Sequence, residues 1–113
     1  GENSIYEIQQ ELAGRARELG VPVRALIGDV RDAAFVEGLF AQAPPQVVLH
    51  AAAHKHVHFM EAQPAEAIKN NVRGTRLLAE ASVRAGVERF ILISTDKAVR
   101  PAGVMGASKR VAE

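Results

Sequence analysis

The periodicity of apolar residues changes repeatedly along this 113-residue chain, and this alternation limits the possible folds more than any other feature. Short runs rich in branched apolar residues, typical of buried strands, alternate with stretches in which apolar residues recur at helical spacing. Strands separated by helices cannot be hairpin partners, since a helix between two strands forms a crossover. The alternation therefore predicts an α/β fold, with a parallel doubly wound sheet, right-handed crossovers and helices on both faces.

The predicted element order is α, β, α, β, α, β, α. A capping box formed by Ser4 and Glu7 starts the first helix, and the pair Pro44 and Pro45 stops the second, which Asp32 can cap. Pro64 suits the first position of the third helix. The predicted helices lie near 4–19, from 32 to 43, from 64 to 86 and from about 103, and the predicted strands are Val21–Ile27, Gln46–Ala51 and Phe90–Ile93.

Charge and composition exclude several classes of protein. Lys and Arg number 14 against 13 Asp and Glu, so bulk charge offers no surface for nucleic acid, and no nucleic-acid partner is expected. The absence of cysteine excludes a disulfide framework and any thiolate metal site. No window approaches the roughly 20 apolar residues of a membrane span. Since the sequence does not begin with Met, we expect it to be a piece of a longer protein.

Loops that leave the carboxyl ends of parallel strands usually carry the chemistry of a doubly wound sheet. The first such loop holds Asp29, which follows a predicted strand directly. Its carboxylate could accept hydrogen bonds from a nucleotide. The residues alone favour the alternative, a turn residue or helix cap, since Asp and Gly are common in turns.

The second loop begins with three alanines, Ala51, Ala52 and Ala53, whose small side chains would let a flat ligand approach the backbone. It lies in a stretch of four histidines within nine residues, which raises a metal site as an alternative. Lys55 would repel a cation, and a strand-end histidine such as His50 is more often a buried, hydrogen-bonded side chain. We therefore predict no metal site. The four histidines are His50, His54, His56 and His58.

The third loop places a hydroxyl, a carboxyl and an amine on the consecutive residues Thr95, Asp96 and Lys97, directly after a predicted strand and Ser94. Such a set can donate and accept protons. The alternative is a polar loop in which Asp96 and Lys97 form a surface ion pair. Further on, Met105 and Lys109 are four residues apart and share one face of the last helix.

Five segments of the chain, in this order, resemble extended short-chain dehydrogenase/reductases: GDVRD (28–32), HAAAHKHV (50–57), KNNVRGT (69–75), ERFILISTDKAVRP (88–101) and VMGASKRVAE (104–113). They resemble more narrowly the nucleotide-sugar 4,6-dehydratases of polysaccharide biosynthesis, which act on UDP-N-acetylglucosamine. The combination of STDKAVRP and MGASK is the specific signal. The resemblance covers most of the chain and implies a Rossmann-like dinucleotide-binding domain.

The resemblance also implies a nicotinamide cofactor, NAD or NADP. Asp29 and Val30 match positions that contact the adenine of the cofactor. Ala51, Ala52 and Ala53 match a segment that lies along the cofactor. Lys109 matches the lysine that bonds the nicotinamide ribose. Asn71 matches a structural asparagine. No glycine-rich phosphate turn occurs in the sequence, so we expect residues 1–113 to be part of a dinucleotide-binding domain, lacking the first strand and the C-terminal substrate portion.

By the same resemblance, Thr95, Asp96 and Lys97 are the catalytic residues, and Lys55 and His56 match a substrate-side loop. Met105 stands where the superfamily has the tyrosine of YxxxK, and a thioether cannot accept a hydroxyl proton. The proton of the sugar's C4 hydroxyl must then be accepted or relayed by Thr95, Asp96 or an ordered water. Adjacent opposite charges would shift the pKa values of Asp96 and Lys97 the wrong way for proton transfer, so their side chains should not simply pair in the closed complex.

The leading interpretation is therefore a fragment of an NAD(P)-dependent nucleotide-sugar 4,6-dehydratase, inactive in isolation. The alternatives are an epimerase of the same superfamily and a non-catalytic assembly module. We expect a nucleotide-sugar substrate, a homo-oligomer and a cytoplasmic location, with a membrane anchor outside the segment left open. An incomplete sheet should also leave one apolar face uncovered and strand edges unpaired.

Overall fold

A computed structural model describes residues 2–113 of the chain. Its helices are α1 (Glu2–Leu19), α2 (Ala33–Gln42), α3 (Val57–Ala62), α4 (Pro64–Ala67), α5 (Thr75–Arg84) and α6 (Val104–Ala112), and its strands are β1 (Val47–His50) and β2 (Arg89–Leu92). A π-helical segment, Ile68–Gly74, joins α4 to α5, and a 3-10 turn covers Asp96–Ala98.

The two strands confirm the predicted parallel α/β class. β1 pairs with β2 in parallel, with Val47 opposite Arg89 and His50 opposite Leu92. Ile93 extends the ladder by donating its backbone N–H to the carbonyl of His50 at 2.9 Å. Both strands therefore end at the same edge of the sheet, and this brings the loops after β1 and β2 side by side.

The predicted strand Val21–Ile27 is wrong as a strand. Within residues 2–113 the sheet contains only β1 and β2, and the backbone of Val21–Ile27 has no neighbouring strand. Its apolar side chains are exposed, with Val21 at 55% and Ile27 at 70%. A run of branched apolar residues favours an extended backbone. A β-strand forms only when this backbone exchanges hydrogen bonds with a neighbouring strand.

The predicted helix from Pro64 to Gly86 is observed as one continuous helical path with a change of winding inside it. The backbone stays in the right-handed helical region at Ala67 and at Gly74, the two junctions. Between them the π-helical turns bury the consecutive residues Asn70 and Asn71. A wider helix of this kind is frequent near functional sites, where it re-aims side chains.

Two apolar clusters hold the helices in place. Val36 and Phe40 of α2 pack against Ala81 of α5 on one face of the sheet, where Val48 joins them. Met60, Ala67 and Met105 form the second cluster, which binds α6 to α3 and α4. The second cluster therefore fixes α6 beside the edge where the strands end.

The opposite face of the sheet is uncovered among the described residues, as expected for an incomplete sheet. Val47, Leu49, Ile91 and Ile93 alternate along the two strands and share this face. Their exposures are 47%, 68%, 44% and 51%. None of the helices within residues 2–113 has the length and hydropathy needed to cross a membrane.

Candidate active site

A cavity of about 370 Å³ opens at the edge of the sheet where β1 and β2 end. Its walls come from the loop after β1, the loop after β2 and helix α6. Because the strands are parallel, these three segments converge although they are far apart in sequence. The lining residues are Ala51, Ala53, His54, Lys55, Ile93, Ser94, Thr95, Lys97, Met105 and Lys109.

This cleft brings together half of the residues that the sequence singled out. Two of the three catalytic candidates line it, with two of the alanines, one substrate-side lysine and the lysine of α6. These are Thr95, Lys97, Ala51, Ala53, Lys55 and Lys109. The other predicted site residues do not line it: Asp29, Val30, Ala52, His56, Asn71 and Asp96.

Thr95, Asp96 and Lys97 are linked to one another by short-range polar contacts. The Thr95 hydroxyl donates to Asp96 Oδ1 at 3.0 Å and accepts from the backbone N–H of Lys97 at 3.3 Å. Lys97 Nζ lies 3.5 Å from the same carboxylate, and the two side chains are 57% and 89% exposed. The surface ion pair considered as an alternative is therefore formed in this structure.

That pairing stabilises the charged form of Asp96. The hydrogen bond from Thr95, followed by the positive charge of Lys97, lowers the pKa of the Asp96 carboxyl below its usual value. An aspartate is already a carboxylate near neutral pH, so these contacts strengthen that state and oppose its protonation.

Lys109 is one of two buried residues that line the cleft, the other being Met105. It is 6% exposed, and its ammonium group donates to the backbone carbonyl of Ile93 at 2.8 Å. Burial lowers the pKa of Lys109, while the carboxylate of Glu113 acts in the opposite direction. Met105 lies one helical turn earlier and is also buried, so the predicted shared face of α6 is the face turned toward the site.

Asn71 lies behind the cleft and connects two of its walls. Its Oδ1 accepts from the backbone N–H of His54 at 2.8 Å, and its Nδ2 donates to the His54 carbonyl at 3.2 Å and to Ser108 Oγ at 2.9 Å. Asn71 is 1% exposed, and Asn70 supplies a further hydrogen bond to Oδ1. With these bonds in place, Asn71 can affect a ligand only through the loop and helix it holds.

Asp29 and Val30 lie away from the cleft, on the other side of the π-helical segment. Arg31 donates to both carboxylate oxygens of Asp29, at 2.7 to 3.0 Å, and reaches Glu66 at 3.0 Å. The Arg31 hydrogen bonds lower the pKa of the Asp29 carboxyl. Val30 packs against Gly74, where a Cβ would come within 2.9 Å of the Val30 side chain. Asp29 thus forms a charged turn, and also borders a separate cavity of about 400 Å³.

The histidines do not assemble into a metal site among the described residues, where no group of three metal-ligating side chains occurs. His50 is 2% exposed, and its Nε2 lies 2.8 Å from the Thr75 hydroxyl. Burial, with a smaller contribution from the charge of Lys109, lowers the pKa of His50. His50 is thus the buried, hydrogen-bonded histidine that its position at a strand end predicted. His54, His56 and His58 are exposed.

A second cavity, of about 440 Å³, adjoins the cleft and shares Lys97 and Met105 with it. Its other charged residues, Glu61 and Arg100, were not predicted as site residues. Glu61 lies on α3, and its Oε1 accepts the backbone N–H of Val104 at 2.6 Å, which caps the start of α6. This contact spans 43 positions, so no local pattern in the sequence could have revealed it.

The cleft residues suit one end of a dinucleotide. Ala51 and Ala53 present only methyl groups to the cavity, so a flat ring can approach the backbone. Lys109 uses one of its three N–H groups on the Ile93 carbonyl and retains two that can bond ribose hydroxyls. Since the sequence contains no glycine-rich turn, these residues fit the nicotinamide end of the cofactor but not its phosphates.

The chain is similar in sequence to known proteins of polysaccharide biosynthesis. The chain is 52% identical over its full length to a probable polysaccharide biosynthesis protein, EpsC, of Bacillus subtilis (strain 168), and covers 19% of that protein. It is 41% identical over 87 residues to a UDP-N-acetylglucosamine 4,6-dehydratase (inverting) of Campylobacter jejuni, a match that covers 77% of this chain and 25% of the relative. The chain thus spans a quarter or less of the length of these curated relatives.

Among solved structures, the chain resembles DesIV, a dTDP-glucose 4,6-dehydratase of Streptomyces venezuelae determined with NAD and TYD bound. The TM-score is 0.69 at 28% sequence identity, and the match covers 75% of this chain and 30% of DesIV. The parallel α/β fold is thus shared with an NAD-binding enzyme. A family model described as polysaccharide biosynthesis protein matches residues 1–113. Its match over the whole chain, with the shared fold and the relatives above, shows that this chain belongs to the polysaccharide biosynthesis protein family.

Proposed function

We propose that this chain is part of an NAD(P)-dependent nucleotide-sugar 4,6-dehydratase that converts UDP-N-acetylglucosamine to a UDP-4-keto-6-deoxy sugar for surface polysaccharide. The observation that carries the proposal is the convergence of Thr95, Lys97 and Lys109 on one cleft. Met105 also lines this cleft, at the position where the superfamily that the chain resembles has a tyrosine. The identity to the Campylobacter dehydratase supports the choice of substrate.

In this proposal the cofactor lies along Ala51 and Ala53, and Lys109 bonds the nicotinamide ribose. When bound, the nicotinamide supplies hydride transfer, from C4 of the sugar and later to C6. The carboxylate of Asp96 receives the proton of the C4 hydroxyl, directly or relayed through the Thr95 hydroxyl or a water. Met105 takes no part in proton transfer, since its thioether is at most a weak acceptor.

The elimination of water is assigned to Asp96 and Lys97. A ketone at C4 acidifies C5, and Lys97 in its neutral form removes the C5 proton. Asp96, protonated by the proton from the C4 hydroxyl, donates it to the departing C6 hydroxyl, which leaves as water. A proton from Lys97, exchangeable with solvent, returns to C5 when C6 is reduced. Both residues must leave the ion pair seen in this structure, because the pair stabilises the charged form of each. Substrate binding in the adjoining cavities is the event proposed to separate them.

The proposal is tested with the full-length protein and UDP-N-acetylglucosamine in D₂O. Dehydration by this mechanism yields a 4-keto-6-deoxy product carrying deuterium at C5, whereas an epimerase yields a C4 epimer without loss of water. Lys97→Met should lower kcat by at least about a hundredfold. Lys69→Met is the matched control, since Lys69 pairs with Glu66 outside the cleft. Wild-type turnover in Lys97→Met, or an epimer as the wild-type product, would refute the proposal.

The isolated chain is proposed to be inactive, because it holds no turn that could bind the cofactor phosphates. Calorimetric titration of NAD⁺ and of UDP-N-acetylglucosamine into the 113-residue chain should give no saturable binding. Saturation with either ligand would show that the cleft residues suffice for binding, and would overturn this part of the proposal.

A further inference from the structure

Gly106 lies where helix α6 touches the backbone of the loop that carries Lys97. It is the third residue of α6 and is buried. A Cβ at this position would overlap the carbonyl oxygen of Lys97, and it would lie 3.2 Å from the Lys97 carbonyl carbon and 3.3 Å from Pro101 Cβ. The requirement for glycine is one of space, because Gly106 has no positive φ angle.

The Lys97 carbonyl cannot easily move away from such a Cβ. Lys97 is the middle residue of the 3-10 turn, whose backbone is tied to Thr95 by the hydroxyl contact to Lys97 N and by a bond of 3.1 Å from Ala98 N to Thr95 O. Ala98 itself is fully buried. Backbone atoms fixed in this way yield less than the end of a flexible side chain.

Helix α6 is equally restrained. Glu61 holds its first turn through the backbone N–H of Val104, and Asn71 holds its middle through Ser108. Met105 is buried in the cluster with Met60. A shift of α6 large enough to admit a methyl group at position 106 would strain each of these contacts.

We propose that Gly106 is a positioning residue that lets α6 pack directly on the Lys97 backbone and so fixes Lys97 relative to Met105 and Lys109 across the cleft. Gly106 borders the adjoining cavity but carries no side chain, so it acts through the Lys97 backbone that it contacts. The consequence for catalysis rests on the proposed function, since it requires Lys97 to be the base. The structural part of the inference does not depend on any activity.

The test is Gly106→Ala in the full-length protein, with Gly38→Ala as the matched control. Gly38 is also inside a helix, and a Cβ there meets nothing within 4 Å. In Gly106→Ala, hydrogen exchange of the peptide that spans residues 95–101 should be at least about tenfold faster, because the 3-10 turn is displaced. Turnover should fall by about a hundredfold with KM nearly unchanged, as expected when a reacting group is misplaced by about 1 Å.

Gly38→Ala should change neither measurement. Wild-type exchange and wild-type kcat in Gly106→Ala would overturn the inference. If the wild-type protein does not dehydrate UDP-N-acetylglucosamine, the proposed function fails, while the exchange measurement still decides whether Gly106 positions Lys97.

A second variant covers the case in which Gly106→Ala does not fold. At Gly103, three residues earlier, a Cβ would meet only the carboxylate end of the Glu61 side chain, which can rotate aside at the expense of its hydrogen bond to Val104. Gly103→Ala should therefore fold. Failure of Gly106→Ala with a folded Gly103→Ala supports the steric contact with Lys97. If neither variant folds, the inference is overturned, because the start of α6 would then tolerate no added side chain at either position.

Discussion

Asn71 Nδ2 donates a hydrogen bond of 2.9 Å to Ser108 Oγ, and the two residues are 37 positions apart in the chain. The same amide side chain bonds both the N–H and the carbonyl of His54. Ser108 in turn donates to the Met105 carbonyl at 2.8 Å. One buried side chain therefore couples the loop after β1 to the helix that carries Met105 and Lys109.

Asn71→Ala should lower the free energy of unfolding by about 2 to 3 kcal/mol, because it leaves the N–H and carbonyl of His54 without partners and removes the hydrogen bond that the Ser108 hydroxyl accepts. Asn70→Ala is the matched control. Asn70 is also buried, at 8%, but its recorded side-chain bond goes only to Asn71. Urea denaturation should show a loss of about 1 kcal/mol or less for Asn70→Ala. Equal losses for the two variants would contradict the coupling role of Asn71.

The parallel class and the location of the cleft could be predicted from the sequence, because both follow from local patterns. The apolar runs that became β1 and β2 are short and bounded by turn residues, and the chemistry of a parallel sheet lies where its strands end. Lys109 could be placed beside Met105 because helical spacing is a local property.

The features that could not be predicted from the sequence depend on contacts between residues that are far apart in the chain or on side-chain conformation. Val21–Ile27 has the pattern of a strand, but pairing depends on a neighbour that the pattern does not contain. Helix α3 was missed because His56 offers no capping side chain and the alanines before it suggest an open loop. The pairing of Asp96 with Lys97 depends on side-chain rotamers that spacing does not fix.

The stability of the fold should fall as the pH drops below about 6.5, on account of His50. Burial lowers the pKa of His50 from its ordinary value of 6.5, so the unfolded chain binds the proton more readily than the folded chain. The Thr75 hydroxyl donates to the Asn71 carbonyl, so Thr75 accepts its hydrogen bond from the Nε2–H of His50. The loss begins near pH 6.5 and ends below the lowered pKa of His50.

His50→Gln keeps an N–H donor for Thr75 and removes the titrating ring. Thermal unfolding followed from about pH 7.5 down to about 5 should be less dependent on pH in this variant than in the wild type. His58→Gln, which changes an exposed histidine, should retain the wild-type dependence. An unchanged slope in His50→Gln would show that another group is responsible.

Arg31→Ala should raise the pKa of the Asp29 carboxyl toward its ordinary value of 3.8, since the hydrogen bond from Arg31 is the main reason that this pKa is low. A folded-state pKa below the unfolded value means that Asp29 contributes stability above about pH 3.8, which is lost as the pH falls further. As the pH is lowered, the free energy of unfolding of Arg31→Ala should therefore fall less steeply than that of the wild type. Stability near neutral pH should change little, because the ion pair is partly exposed.

Carboxyl carbon shifts of labelled Asp, followed by NMR through an acid titration, measure the pKa of Asp29 directly. Arg84→Ala is the control, because Arg84 pairs with Glu37 at 3.3 Å and is remote from Asp29. A pKa for Asp29 that is the same in Arg31→Ala and Arg84→Ala would mean that the backbone N–H of Arg31, which the substitution retains, accounts for the shift.

Met105→Leu should leave turnover of the full-length protein within about threefold of the wild type. A thioether accepts protons no better than an alkyl chain in this setting, and Leu has nearly the volume of Met. Met105 is 4% exposed and lies in the same cluster as Met60, which is 6% exposed, so Met60→Leu is a closely matched control for packing. Both variants should unfold at similar temperatures. A large fall in kcat for Met105→Leu alone, with its stability equal to that of Met60→Leu, would show that the sulfur acts on the substrate or cofactor. The proton of the C4 hydroxyl would then need a different route from the one assigned to Thr95 and Asp96.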